Sequence, residues 1–447
     1  MSQLIISISG IRGIIGDGLG PREAVRFGLA FGTHLSGGTV VFGRDSRPSG
    51  AMLADAFRSG LAAAGCMVFD TGILSTPGVA VFVRHAGAAG GAVITASHNP
   101  VAWNGIKLLS PAGMALSREQ GRSVLDLYEK QAFAEVPAER IPAGRRAPEA
   151  AQVHVDRVLA ITDVESVRRA RLCVVVDATN GAGAAEMAML LERLGCACTV
   201  INGEPTGHFG RPPEPLPENL GDLCEAVRRN GAAVGFALDP DADRLALVDE
   251  TGRAIGEEYT LALVARYRLM RQRGPLACNL STSRMMDAVA AEAGVVLHRT
   301  PVGEVNVAEA IAKNGCVIGG EGNGGVIDPR VAPVRNSLVG AALVLEMLAS
   351  RRLRLSELAA ELPAYTMLKD KIVLRDPAAG PDAALEAVRK RFPEARADSR
   401  DGLYLSWDNG WLHVRASNTE PILRILAEAK DEQVARAWVD AVKAIAR

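Results

Sequence analysis

The chain has 447 residues, 48% of them hydrophobic, and its 50 lysines and arginines nearly cancel its 51 aspartates and glutamates. That length exceeds what one hydrophobic core ordinarily organises and predicts three or four domains, while the apolar content excludes a disordered chain. The balanced charge leaves no global field for nucleic acid or an anionic membrane, so neither partner is expected, and an anionic ligand must be held by local arginines.

The first residues lack the basic start and apolar core of a signal peptide, and no stretch is long and apolar enough to span a bilayer. Seven cysteines are an odd count, several of them in strand-like runs such as Cys173-Val174-Val175-Val176. Cys196 and Cys198 share one face of a strand, but no second cluster completes a zinc site. Reduced thiols and a cytoplasmic location are therefore expected.

In chain order, Ser9-Gly10-Ile11-Arg12-Gly13 places Arg12 between glycines, where it suits contact with an anion. A pattern then begins that occurs three times. Its first copy has strand-like Thr39-Val40-Val41-Phe42, Gly65-Cys66-Met67-Val68-Phe69 and Gly91-Ala92-Val93-Ile94, with a helical pattern from Ala51 to Ala64. It ends in Thr95-Ala96-Ser97-His98-Asn99-Pro100, with Lys107 beyond a second turn signal at Asn104-Gly105. Small neighbours leave the Ser97 hydroxyl open to a bulky, charged group beside His98; the plainer alternative is a serine that caps a turn.

The second copy runs through Cys173–Val176, Gly195–Val200 and Ala232–Phe236, and ends in Asp239-Pro240-Asp241-Ala242-Asp243-Arg244. Alternating aspartates in an extended loop point three carboxylates to one side, where they repel unless a cation neutralises them. A hard divalent ion, Mg²⁺ above all, is the expected partner. A calcium EF-hand is the rival, with Glu250 at its twelfth position, but Arg244 stands where that loop needs glycine, and Leu245-Ala246-Leu247-Val248 reads as strand. A solvated acidic turn is the other alternative. The third copy runs through Leu276–Leu280, Gly294–Leu297 and Gly315–Ile318, with a helix over Ser283–Ala293. It ends in Gly319-Gly320-Glu321-Gly322-Asn323-Gly324-Gly325, where Glu321 and Asn323 in a loop of little bulk suit a polyhydroxylated ligand, or form a simple turn.

Alternating strands and helices predict α/β layers with largely parallel pairing, and ligands bind such sheets at the carboxyl ends of their strands. From about Leu368 the pattern changes. A strand at Lys371–Leu374, a helix over Ala383–Arg391, a hairpin at Asp408-Asn409-Gly410 and a last helix over Asp431–Ile445 predict a small α+β domain. Between strands Trp411–Val414 and Ile422–Ile425, the residues Arg415, Ser417, Asn418 and Thr419, with Arg424 alongside, make a phosphate cradle or a polar turn. The expected division is 1–150, 151–253, 254–366 and 367–447, with loop-like connectors at Glu135–Ala147 and Pro212–Pro217.

Taken together and in this order, the four loops resemble the α-D-phosphohexomutase superfamily, which comprises phosphoglucomutases, phosphomannomutases and phosphoglucosamine mutases, over essentially the whole chain. The resemblance implies four domains around a cleft, the first three with a shared mixed or parallel α/β core. It implies a phosphoserine at Ser97, which also faces the metal, and Mg²⁺ ligands Asp239, Asp241 and Asp243. Sugar hydroxyls would meet Glu321 and Asn323, and the phosphate that is not transferred would meet Arg415, Ser417, Asn418, Thr419 and Arg424. Arg12, His98, Lys107 and Arg244 align with active-site positions. The sugar loop departs from that of many bacterial relatives, which have Ser and then His where this chain has Asn323 and Gly325, and looks archaeal. Another histidine of some relatives corresponds to Glu304.

The resemblance implies a hexose 1-phosphate/6-phosphate mutase that works through phospho-Ser97 and a hexose 1,6-bisphosphate, with a lean to glucosamine phosphate over mannose or glucose phosphate. Lys107, or else His98, is expected to take the hydroxyl proton, with Arg12 and Arg244 lowering the lysine pKa. A metal-dependent sugar phosphatase would share the metal and phosphate contacts without needing the Arg415 cradle. A serine hydrolase lacks its Gly-x-Ser-x-Gly elbow here, and a non-enzymatic sensor had no need to keep both nucleophile and metal ligands. Nothing in the sequence speaks to oligomeric state.

Overall fold

The computed structural model describes residues 4–7, 10–373, 381–416 and 422–446. Four sheets follow one another along the chain. In the first, Gly38–Arg44 pairs in parallel with both Cys66–Ile73 and Gly90–Ile94. Gly90–Ile94 then pairs antiparallel with Trp103–Leu109, which pairs antiparallel with Gly10–Ile15. The second sheet has the parallel strands Ala197–Ile201, Cys173–Asp177 and Val234–Leu238, with Leu245–Asp249 antiparallel at its edge. The third repeats this with Leu297–Thr300, Leu276–Asn279, Ile318–Glu321 and antiparallel Gly325–Ile327. The fourth is antiparallel throughout, in the order Thr366–Val373, Ile422–Ala429, Gly410–Ala416, Leu403–Trp407, Arg396–Asp398.

The expected threefold α/β repeat and α+β end are present, with one difference that matters for the site. Each repeat closes with an antiparallel strand, so each motif loop is the connection of a hairpin rather than the start of a helical crossover. Two expected strands also begin three residues past their glycines. Gly294 and Gly315 adopt the left-handed conformation that ends the helices Met285–Ala293 and Glu304–Asn314, so the strands start at Leu297 and Ile318. Expected helices lie within a residue or two of those observed, at Gly50–Ala63, Asp382–Arg391 and Glu432–Ala446. The connector Glu135–Ala147 carries a short 3₁₀ turn and a two-residue strand, Arg145–Arg146, that adds to Cys66–Ile73.

Valines and leucines of the helices Thr76–His85, Ala150–Leu159, Ala184–Arg193, Glu258–Arg271 and Ser337–Arg351 form one apolar cluster shared by the first three units. A fully buried side chain of this size contributes roughly 1.5–3 kcal/mol, so this shared core fixes the three hairpin ends relative to one another. The helix Ser337–Arg351 is buried on nearly every face from Ser337 to Leu348. The fourth unit has its own core and meets the third through Leu280, Tyr404 and Trp411. All seven cysteines are free, and no helix among the described residues is long and apolar enough to cross a membrane.

Candidate active site

Ser97 follows the buried strand Gly90–Ile94 and is itself 4% exposed, with a left-handed φ of 51°. That conformation costs a residue with a side chain roughly 1–2 kcal/mol, and the surroundings impose it. The Ser97 N–H donates to Thr95 Oγ1 at 2.9 Å, and the Thr95 hydroxyl donates to Asp45 Oδ2 at 2.6 Å. Arg47, fully buried, wraps the loop from behind. It donates to the carbonyls of Ser97, Asn99, Pro100 and Trp103 at 2.6, 2.7, 2.8 and 3.1 Å, and to Asp45 at 3.0 Å. Arg12, in the strand Gly10–Ile15, donates to Asn99 Oδ1 at 2.9 Å.

The Ser97 hydroxyl points across to the second unit, with Oγ 3.2 Å from Asp239 Oδ2 and 3.4 Å from His98 Nδ1. Asp239, Asp241 and Asp243 are each 0% exposed and offer carboxylate oxygens that all lie within 4.8 Å of one another. Asp241 Oδ1 and Asp243 Oδ1 are buried without a hydrogen-bond partner. Buried, orphaned anionic oxygens in a hard-oxygen cluster fit a divalent cation. Burial and repulsion from Asp243 and Asp241 push the Asp239 carboxyl well above its usual range. Burial also works against the charge of Asp241, yet Lys107 and the Thr76 hydroxyl hold its pKa below the ordinary value.

Lys107, on the strand Trp103–Leu109, donates to Asp241 Oδ2 at 2.6 Å and to Asp243 Oδ2 at 3.5 Å. Burial favours its neutral form, but these two carboxylates outweigh burial and raise its pKa. This corrects the expectation that Arg12 and Arg244 lower it: the aspartates lie closer. His98 behaves oppositely. Arg244, burial and Arg12 keep its imidazole neutral, well below its usual pKa. Arg244 donates to Glu214 at 3.1 Å, and its buried Nε has no hydrogen bond but lies 3.9 Å from Asp243 Oδ1.

The third hairpin docks directly on the second. Leu245 N–H donates to Gly324 O at 3.0 Å, and a Cβ at residue 324 would fall 2.4 Å from Leu245 O, so only glycine with φ +86° permits this approach. Glu321 is buried and accepts from Asn279 Nδ2 at 2.8 Å and Gly303 N–H at 3.1 Å. Its other oxygen accepts from Arg335 at 2.6 Å. Burial opposes its ionisation, but Arg335 keeps it below the ordinary carboxylate pKa. Asn323 has its Oδ1 buried and unpartnered. Arg335 also donates to Asp243 Oδ2 at 2.6 Å and Glu304 Oε2 at 2.8 Å, tying metal loop, sugar loop and Glu304 together.

In the fourth unit, Arg415 and Arg424 are directly paired across antiparallel strands. Among the described residues neither has an ion pair or a hydrogen bond to its guanidinium, and Arg415 Nε is buried without a partner. Burial lowers the Arg415 pKa. Two adjacent guanidinium groups with no ion pair among the described residues suit an anion. Ser417, Asn418 and Thr419 lie outside the described residues.

The structure thus brings Arg12, Ser97, His98, Lys107, Asp239, Asp241, Asp243, Arg244, Glu321 and Asn323 to one junction of three hairpins. Sequence reasoning missed Arg47, Asp45, Thr76 and Arg335. Asp45 and Arg47 carried one usable signal, a charged pair directly after an apolar strand and before Pro48.

Comparison with known proteins agrees along the whole chain. Residues 4–135, 152–252 and 257–365 match the family models for phosphoglucomutase/phosphomannomutase alpha/beta/alpha domains I, II and III, and residues 371–445 match that for the C-terminal domain. A relative from Thermococcus kodakarensis named phosphoglucomutase/phosphomannomutase is 41% identical, with 96% of each chain covered. One from Methanopyrus kandleri named probable phosphoglucosamine mutase is 40% identical over 96% of this chain and 94% of its own. The solved structure of a putative phosphomannomutase from Thermus thermophilus superposes with a TM-score of 0.85 at 27% identity, covering 100% of this chain and 99% of that one.

Proposed function

This chain belongs to the phosphoglucomutase/phosphomannomutase family, and we propose that it interconverts hexose 1- and 6-phosphates through phospho-Ser97, with glucosamine phosphate as its first substrate. The observation that supports this most is the approach of the Ser97 hydroxyl to within 3.2 Å of Asp239, beside two orphaned carboxylate oxygens. Relatives of nearly equal identity carry both phosphoglucosamine mutase and phosphoglucomutase/phosphomannomutase names, so glucose and mannose phosphates are the comparison substrates.

The three aspartates would hold Mg²⁺, which when bound supplies positive charge to a phosphoryl group on Ser97. The bond from phosphorus to the Ser97 oxygen breaks as a bond to the sugar hydroxyl forms, giving a hexose 1,6-bisphosphate, and the opposite end of that sugar then returns its phosphoryl group to Ser97. Arg12 and Arg244 offset the charge on the equatorial oxygens. His98 is the neutral base beside the serine, and Lys107 becomes one only after its carboxylate partners are engaged elsewhere. Glu321 and Asn323 orient sugar hydroxyls, and Arg415, Ser417, Asn418, Thr419 and Arg424 grip whichever phosphate is not being transferred.

The test is side-by-side turnover of glucosamine, glucose and mannose 1-phosphates with Mg²⁺ and catalytic hexose 1,6-bisphosphate, together with intact mass mapped to Ser97. Fastest conversion of the glucosamine substrate and a phosphate on Ser97 are expected. Release of inorganic phosphate in place of isomerisation would move the assignment to a phosphatase.

A further inference from the structure

Behind the aspartate loop, a chain of buried polar groups crosses the first three units. His154, on the helix Ala150–Leu159, and Glu186, on the helix Ala184–Arg193, are 0% and 1% exposed. His154 Nδ1 lies 2.6 Å from Glu186 Oε1, while Glu186 Oε2 accepts from the Ser75 N–H at 2.9 Å. On the far side of the ring, Nε2 lies 2.8 Å from Asn336 Nδ2. Asn336 Oδ1 accepts from the N–H groups of Leu338 and Val339 at 3.1 and 3.2 Å, capping the central helix Ser337–Arg351.

These contacts fix every proton. Asn336 commits its oxygen to the helix, so its NH₂ faces the ring and Nε2 must accept. The single ring proton is then on Nδ1 and is donated to Glu186, whose two oxygens both accept. No group in the chain is left unpaired, and no second arrangement satisfies all of them.

Both ends of this chain clamp the aspartate loop. The residue after Ser75 is Thr76, whose N–H donates to Asp241 O at 2.9 Å and whose hydroxyl donates to Asp241 Oδ2 at 2.7 Å. The residues flanking Asn336 are Ser337, which donates to Ala242 O at 2.7 Å, and Arg335, which bridges Asp243 and Glu321. We propose that Ser75–Glu186–His154–Asn336 is a positioning relay that sets the spacing of the two clamps, and so the geometry Asp241 and Asp243 offer a divalent cation. None of the four touches substrate. The inference rests on the proposed function only in reading the aspartates as metal ligands.

Reversing the relay tests it. Glu186→Gln puts an NH₂ against either the Ser75 N–H or the His154 Nδ1–H, so one bond is lost whichever way the amide turns. Asn336→Asp sets an acceptor against Nε2, which the ring answers by taking a second proton and donating to both carboxylates, at the cost of a buried positive charge. Combined, the two substitutions restore all the bonds in the opposite sense. The new amide oxygen accepts from Ser75, its NH₂ donates to Nδ1, and the ring proton moves to Nε2 and is donated to the new carboxylate, which still caps the helix.

The measurement is Mn²⁺ affinity of the purified full chain by electron paramagnetic resonance, with thermal midpoints recorded alongside. Glu186→Gln should weaken Mn²⁺ binding up to about tenfold, the low end of what loss of a metal ligand's own outer partner does. Asn336→Asp should weaken it less, and the double variant should regain most of what Glu186→Gln loses. Leu191→Ala, which hollows the same apolar core without removing a hydrogen-bonding group of the relay, should lower the midpoint and leave Mn²⁺ affinity unchanged. The relay is overturned if Glu186→Gln lowers the midpoint while metal affinity stays at the unsubstituted value, or if the double variant binds no better than the weaker single. Should the singles not fold, the double alone decides, by binding Mn²⁺ like the unsubstituted protein or failing to. Absence of Mn²⁺ binding in the unsubstituted protein would count against the metal reading itself, which is a separate failure.

Discussion

The two ends of the candidate site handle their charges in opposite ways. At the hairpin junction, Lys107 and Arg335 are neutralised by Asp241, Asp243, Glu304 and Glu321 before any ligand arrives. In the last sheet, Arg415 and Arg424 are register partners on neighbouring strands, and neither has an ion pair among the described residues. On the proposed function, the first region is a reaction centre whose charges are fixed before binding, as stabilisation of a transition state requires. The second has no ion pair to either arginine among the described residues, and only the more distant negative charges of Asp401 and Glu321 act on Arg415. Damage to the first should therefore appear in kcat, and damage to the second in KM.

Ser97→Ala is the strongest test of that division. It deletes the one oxygen on which transfer depends, and turnover should fall by at least about 10³-fold while KM-related binding of sugar phosphate persists. The thermal midpoint should barely move, because the loop is held by backbone contacts to Arg47 rather than by the serine hydroxyl. Retained turnover would remove Ser97 from the chemistry.

Asp241→Asn comes next. It withdraws a carboxylate that partners both Lys107 and Thr76 and that offers an orphaned oxygen to the cation. Mn²⁺ binding should weaken and kcat fall about 100-fold, and a chelator should abolish the activity of the unsubstituted protein. A change in KM alone would place the loop on the binding side of the comparison.

Arg415→Ala and Arg424→Ala should do the reverse. A charge-assisted hydrogen bond to phosphate contributes about 1.5–3 kcal/mol, so each should raise KM by roughly 10- to 100-fold with a smaller change in kcat. Arg415→Lys should recover only part, since an ammonium lacks the two-pronged fit of a guanidinium. Equal losses of kcat and kcat/KM would mean that this cradle acts only in the transition state.

The same contrast explains what the sequence disclosed. The three hairpin loops were legible because each follows an apolar strand and packs its polar residues within a few positions, so chemistry and spacing coincide. The antiparallel direction of the closing strands was not, even where Leu245-Ala246-Leu247-Val248 read as strand, because a short apolar run such as Gly325–Ile327 carries no mark of its direction. The roles of Arg47 and Arg335 were hidden for a different reason, although Arg47 with Asp45 left a charged-pair signal. Beyond Asp45, the groups these arginines hold (carbonyls 50 or more residues away for Arg47, and Asp243 92 residues away for Arg335) converge only in three dimensions. The raised pKa of Lys107 has the same origin: cations were visible near it in the sequence reading, but the distance to Asp241 was not.

The smallest effect concerns a group between the two regions. Glu258, at the start of the helix Glu258–Arg271, lies under the sugar loop so closely that a Cβ at Gly322 would fall 1.9 Å from its Oε2. That oxygen accepts from Ser283 N–H at 2.9 Å, and Lys369 of the last unit is 4.0 Å away. Burial pushes its pKa up to about 8, with Lys369 only partly opposing. The sign follows from linkage: a carboxyl that is harder to ionise when folded binds its proton more tightly in the native state, so its contribution is fully present below the ordinary carboxylate pKa and is lost as pH rises through about 8. Glu258→Gln keeps an acceptor for Ser283 and has no proton to lose. The midpoint of the variant should therefore gain on that of the unsubstituted protein as pH is raised from 5 to 9, by about a few degrees at most. A difference that stays flat across that range would mean that Glu258 is ionised in the folded protein, with Lys369 as its true partner, and that the last unit is tied to the sugar loop by charge even without substrate.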